Sequence, residues 1–183
     1  MEIIIRRWLR GFGAADTEEA AIATHLLQFV ASCGEAVLGC EIAGEIGHVT
    51  SAAWILNRDS SRVLLVFGAK ENAWKLPGAH CETQNGAELF QVARREALRA
   101  SGGVADGNRA TIFAISKQEI PAYWNTPAHL HFELVFRLDA LETVDLPRGA
   151  KWFSLANAAM LGSDSIAHLV RKTSALSQET THL

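Results

Sequence analysis

The order of elements along this 183-residue chain predicts an α/β fold, a sandwich of mixed sheet and helices. Strand-like apolar segments occur at 48–56, 62–69, 111–120 and 130–138, and helical periodicity occurs before, between and after them. The two types are interspersed without a regular strand–helix–strand alternation, which argues against a doubly wound parallel sheet. No repeat and no low-complexity tract interrupts the pattern.

The first segment, "MEIIIRRWLRGFG", mixes Arg6, Arg7 and Arg10 into its apolar residues and has no small-residue cleavage site, so it reads poorly as a signal peptide. From Asp16 to Cys33 the residues Ala20, Ile22, Ala23, Leu26, Leu27 and Val30 recur at helical spacing. Asp16, with Glu19 three residues on, can cap this helix, and Gly34 can end it. "HVTSAAWIL" and "RVLLVFGA" read as strands joined by the polar turn "NRDSS". A turn at Pro77-Gly78 leads to a helix over 88–101 that Gly102-Gly103 terminates. "TIFAISKQEI" is a strand stopped by Pro121, "LHFELVFRL" follows it, and a short strand at Trp152-Phe153 precedes a helix from about Ser163.

Apolar residues make up 49% of the chain and charged residues 20%, the balance of an ordinary globular protein. A net charge of -3 supplies no electrostatic footprint for a nucleic-acid polymer or an anionic membrane. No apolar run reaches the ~18 residues that a bilayer span requires. Cys33, Cys40 and Cys81 are odd in number and lack metal-finger spacing, so reduced thiols and a cytoplasmic location are the simplest expectation.

"GAHCETQNGAELFQVARREALRASGG", residues 78–103, resembles the Nudix signature G-x5-E-x7-R-E-U-x-E-E-x-G-U, in which U is a bulky aliphatic residue. Arg95-Glu96 stands at the R-E pair, Ala97 at U, Gly102 at the closing glycine and Pro77-Gly78-Ala79 at the usual Pro-Gly-Gly. "GHVTSAAWILNRDSSRVLLV" is similar to a subgroup with "GHxTxSAW" and "PGGH(C/A)D" elements, and "PAHLHFELVF" and "KWFSL" resemble its later strands. The resemblance covers roughly residues 20–170. It implies a Nudix-type α/β/α sandwich with a mixed sheet: an N-terminal helical extension over 1–40, a Nudix-like domain over 41–175 and a polar tail over 176–183. It also implies hydrolysis of a diphosphate-linked small molecule by metal-activated water. A dimerisation role for the extension, giving a homodimer, would leave the same trace.

The departures bear on chemistry. In the family the acids of R-E-U-x-E-E hold magnesium or manganese, which need several carboxylate oxygens. Here the last two acids are replaced by Arg99 and Ala100, and Glu96 alone of the three remains. The loop glutamate falls on Asn85 or Ala87, depending on the end from which the pattern is counted; a one-position adjustment recruits Glu88. The usual site is expected to be degenerate, with Glu96 left as a ligand, a base or a loop cap.

A second set of ligands is present. In "HLHFE", His129, His131 and Glu133 alternate with Leu130 and Phe132, which puts the imidazoles and the carboxylate on one face of a strand. His80 and Glu82 repeat the spacing before the signature helix, and His48 heads the "GHVT" strand. Such ligands suit zinc, iron or manganese better than magnesium. The candidate metal ligands are His80, Glu82, His129 and His131; the candidate catalytic acids or bases are Glu96 and Glu133. His48, Arg99, Tyr123 and Trp124 are candidates for substrate binding, the last two because adjacent aromatics in a Pro-flanked loop are hard to bury together. Two other readings of the histidines stay open, substrate hydrogen bonding without metal and a structural role. His25, His168 and His182 are expected to be structural. The functional classes left open are a small-molecule hydrolase, an enzyme using a histidine-held metal for C–N or ester hydrolysis, isomerisation or oxidation, and a non-catalytic ligand-binding module.

Overall fold

In a computed structural model of the chain, residues 2–34, 37, 40–42, 44–81, 89–106 and 111–181 are described. The elements run α1 (Glu2–Trp8), α2 (Thr17–Cys33), β1 (Cys40–Ile42), β2 (Glu45–Asn57), β3 (Arg62–Gly68), β4 (Ala73–Lys75) and β5 (Gly78–His80), then α3 (Leu89–Ser101), β6 (Ala105–Asp106), β7 (Ile112–Ile120), β8 (His129–Ala140), β9 (Ala150–Ser154), α4 (Leu155–Ala159) and α5 (Asp164–Thr181). Every segment read as a strand or helix is one, with ends displaced by a few residues. The result is an α/β fold, a sheet with flanking helices.

The chain forms two compact units. The first comprises Met1–Ala52, Gly78–Ala93 and Ala110–Phe136; the second comprises Ala53–Pro77, Arg94–Arg109 and Arg137–Leu183. Both β2 and β8 contribute to each unit, because these long strands carry on where their partners change.

In the first unit β2 pairs antiparallel with β1 and with β5, where Thr50 faces His80. Strands β7 and β8 form an antiparallel hairpin with Ser116 opposite Glu133, Gln118 opposite His131 and Ile120 opposite His129. Strand β8 is also a hydrogen-bonded neighbour of β2. Helix α2 begins as its sequence requires: Asp16 accepts from Glu19 N at 2.8 Å, and Glu19 reaches back to accept from Ala15 N. Glu19 is buried and also accepts from Ile115 N, so one carboxylate serves both the helix start and β7. The apolar stripe of α2 lies on β8, where Phe29 packs 5.0 Å from Phe132 and His25 meets the same ring edge-on.

In the second unit β3 is central, paired with β2, β4 and β9. Buried Trp54 donates from Nε1 to Thr173 of α5 at 2.9 Å, which confirms it as a core aromatic. The residues expected to form a polar tail continue α5 as far as Thr181. Their exposed polar positions are compatible with a helix whose inner face carries Ile166 and Leu169.

The cysteine expectation needs correction. Cys81 is free and buried, whereas Cys33, at the end of α2, is disulfide-bonded. Sequence spacing carried no sign of this, because pairing depends on which thiols the fold brings together. Among the described residues no helix is long and apolar enough to cross a membrane.

Candidate metal centre

The alternation in "HLHFE" sorts the side chains of β8 to two faces. Leu130 and Phe132 are buried, Phe132 beneath α2, and His129, His131 and Glu133 project from the other face. Residues two apart on β2 share a face, as do cross-strand partners. His48 and Thr50 therefore share a face with His80, which is opposite Thr50.

Two glycines allow the strands to meet here. A Cβ on Gly47 would fall 2.8 Å from Leu130 O and 2.9 Å from Leu130 Cβ, so any larger residue would push β2 from β8 beside His48. A Cβ on Gly78 would fall 2.8 Å from both Ser51 O and Ala52 Cβ, which would displace β5 and with it His80.

Four imidazoles converge. The His48 ring lies 4.7 Å from that of His80, 5.0 Å from His129 and 4.4 Å from His131, centroid to centroid. One ring nitrogen each of His48, His80 and His131 lies within 4.8 Å of the others. His129 adds a fixed tautomer. Its Nδ1 lies 2.8 Å from Pro127 O, and since a carbonyl only accepts, that nitrogen carries the proton. Its Nε2 lies 3.0 Å from His131 Nε2, within hydrogen-bond distance. A backbone carbonyl orienting the far nitrogen is the usual support of a metal-ligating histidine.

Partial burial favours the neutral form of the His48 and His131 rings, and the mutual repulsion of charged forms adds to it; the pKa of His80, on an exposed position of β5, is lowered in the same direction. Desolvation first, then His80 and His129, lowers the pKa of His48 to about 4. Desolvation, then His48, His80 and His129, lowers that of His131 to about 3. His80 is lowered as well, by burial and then by His129. Neutral imidazoles have lone pairs available at physiological pH. His48 Nε2 is buried with no hydrogen-bond partner, as are Thr50 Oγ1 and Ser116 Oγ on the same face. Unpaired buried polar atoms are uncommon, and these three share the face that carries the histidines. The donor set fits a transition metal: an ion bound at ~2.0–2.1 Å by imidazole nitrogen would draw these nitrogens together by side-chain rotation.

Other candidates lie elsewhere. Glu96, on α3, accepts at one oxygen, Oε1, from Arg95 Nε at 3.0 Å and Arg99 NH1 at 3.3 Å. Tyr123 and Trp124 sit on the loop between Ile120 and His129, with Trp124 89% exposed and in the left-handed region at a φ of 53°. A cleft of about 660 Å³ in the second unit is bordered by Arg62, Lys151, Trp152, Asn157 and Met160. Glu82, Asn85, Ala87, Glu88 and His182 lie outside the described residues. His25 is structural as expected, 3.3 Å from Glu45. The sequence reading grouped His48 with substrate; its ring, like that of His131, lies close to the three others. It did not single out Thr50, for which the signal was the H-x-T spacing in "GHVT".

No protein-family model matches the chain, and no curated protein matches it in sequence. Solved structures do match. The E. coli dihydroneopterin triphosphate pyrophosphohydrolase superposes with a TM-score of 0.50 at 18% identity, covering 68% of this chain and 92% of its own. The chain has the Nudix fold. An Ap4A hydrolase from C. elegans (TM-score 0.49, 18% identity, 70% and 96% covered) and a Nudix hydrolase from Nitrosomonas europaea (0.47, 24%, 72% and 90%) are also similar. On this Nudix fold, the histidine face and the arginine-bound Glu96 are features of the chain's own sequence.

Proposed function

We propose that this Nudix-fold chain is a metal-dependent hydrolase whose zinc, iron or manganese ion is held by His48, His80, His129 and His131. The observation that carries this reading is the convergence of four imidazoles on one sheet face, three of them with pKa values depressed by burial. When bound, a divalent ion there would polarise an oxygen at its open position. Pro127 O holds His129 in the tautomer that presents Nε2, and Glu133, on the same face, takes up the proton of the attacking water at its carboxylate. The substrate is a small nucleotide- or phosphate-linked molecule; the E. coli neighbour's action on dihydroneopterin triphosphate supports that class. Tyr123 and Trp124 supply exposed aromatic faces, on the loop that leads into His129, for stacking on a ring of the substrate. Glu96, engaged by Arg95 and Arg99, balances charge on α3.

Elemental analysis of protein purified without added metal or chelator tests the reading. Zinc, iron or manganese near one equivalent is expected, falling sharply in His131→Ala. Protein devoid of transition metal in every preparation sinks it and favours a ligand-binding module.

A further inference from the structure

Thr50 is buried on the histidine face, and the chemistry proposed above leaves it unused. Its side chain is 5% exposed, and Oγ1 has no hydrogen-bond partner. The adjacent hydroxyl shows that the strand itself does not prevent pairing: Ser51, facing the opposite way, donates from Oγ to Leu89 O at 2.5 Å. Packing alone does not call for a hydroxyl at position 50 either. Valine has the same shape and would leave nothing unsatisfied, whereas a buried unpaired hydroxyl carries a desolvation penalty. What distinguishes Thr50 is its place, two residues beyond His48 on β2 and directly across from His80 on β5.

Charge indicates what the hydroxyl is for. Neutral imidazoles leave the charge of a divalent ion uncompensated, and among the described residues of this face Glu133 supplies one carboxylate, which offsets half of it at most. A site of that kind draws in an anion. We propose that Thr50 Oγ1 donates a hydrogen bond to an oxyanion, a phosphate or carboxylate group of the substrate, that enters the open side of the histidine cluster. Thr50 is then a substrate-binding residue. This rests on the reading of the cluster as a metal centre.

The test uses the full chain loaded with cobalt(II), whose visible absorption reports its coordination, titrated with inorganic phosphate. Native protein is expected to bind about one cobalt and to respond saturably to phosphate. Thr50→Val should keep the cobalt and weaken phosphate binding about tenfold, the loss of one hydrogen bond, and Thr50→Ser should restore it to within about twofold. Should the valine variant fail to fold, Thr50→Ala and Thr50→Ser give the same comparison. Unchanged phosphate affinity in a cobalt-loaded valine or alanine variant overturns the proposal. So does loss of cobalt on substitution, which would make Thr50 a support for His80 instead. Native protein that binds cobalt without responding to phosphate overturns it too. Native protein that takes up no cobalt removes the metal centre itself, a result distinct from the others.

Discussion

The histidine face of the first unit and helix α3 treat their polar groups in opposite ways. On α3, Glu96 is engaged by two guanidinium groups from its own helix, at 3.0 and 3.3 Å. On the histidine face, His48 Nε2 and Thr50 Oγ1 are buried and unpartnered. Two cations on Oε1 compete with a metal for that oxygen, and Arg99 at the i+3 position would repel one. A buried, unpartnered imidazole nitrogen with a depressed pKa, as at His48, is what a soft or borderline cation binds. The comparison teaches where to look for a bound group: a polar atom that the fold has buried without a partner is open to one, and a carboxylate oxygen already engaged by cations is less so.

The largest effect expected from breaking this contrast is on metal content. His131→Ala should lower metal occupancy at least tenfold, with His48→Ala and His80→Ala similar, and double variants should add little because the ligands act as one unit. Phe132→Ala, one residue along and facing α2, should leave the metal-to-folded-protein ratio intact while costing about 3–5 kcal/mol of stability, read by denaturant unfolding. Full metal occupancy in the histidine variants would refute the centre.

Acidification comes next. His48 and His131 have folded pKa values of about 4 and about 3, below the ordinary histidine value of 6.5. Between those values the unfolded chain binds more protons than the native one, so stability rises with pH across that window. The metal-free protein should therefore have its full stability above pH 6.5 and lose it as pH falls toward 4, as followed by thermal unfolding. Bound metal should be retained below pH 6, where ordinary histidines already protonate. Release with a midpoint near 6.5 would show that the rings are not held neutral.

On α3 a null result is expected. Millimolar magnesium should not switch on release of nucleoside monophosphate from nucleoside diphosphate derivatives, because Glu96 is engaged and residues 99 and 100 are Arg and Ala. Robust magnesium-dependent cleavage abolished by Glu96→Gln would overturn the contrast. The smallest change should come from Trp124→Ala. With 89% of the side chain exposed, melting should move by less than about 0.5 kcal/mol equivalent, while binding of an aromatic substrate weakens. A large drop in melting temperature would place Trp124 in the core.

Much of this was legible in the chain. The alternation of "HLHFE" assigned Phe132 and His131 to opposite faces, because side chains on a strand alternate by necessity. Asp16 with Glu19 marked the start of α2 through local hydrogen bonds, and the presence of Arg99 and Ala100 beside Glu96 was visible by inspection. These features depend on neighbours in sequence, and local geometry settles them.

What the sequence could not supply was the meeting of distant residues. That His48 shares the centre with His80 and His131 depends on the β2–β5 register and on Gly47 and Gly78 letting strands close in. That Thr50 is left without a partner while Ser51 finds Leu89 O depends on what each face of β2 packs against. The disulfide at Cys33 and the clamping of Glu96 likewise depend on spatial arrangement, the one on which thiols the fold brings together and the other on the side-chain conformers of Arg95 and Arg99. The sequence by itself determined the faces of each element and the kinds of ligand available, because period and chemistry are local properties. The tertiary structure decided which of those faces meet and which polar atoms remain unpaired, because register and close approach are set by packing between strands far apart in the chain.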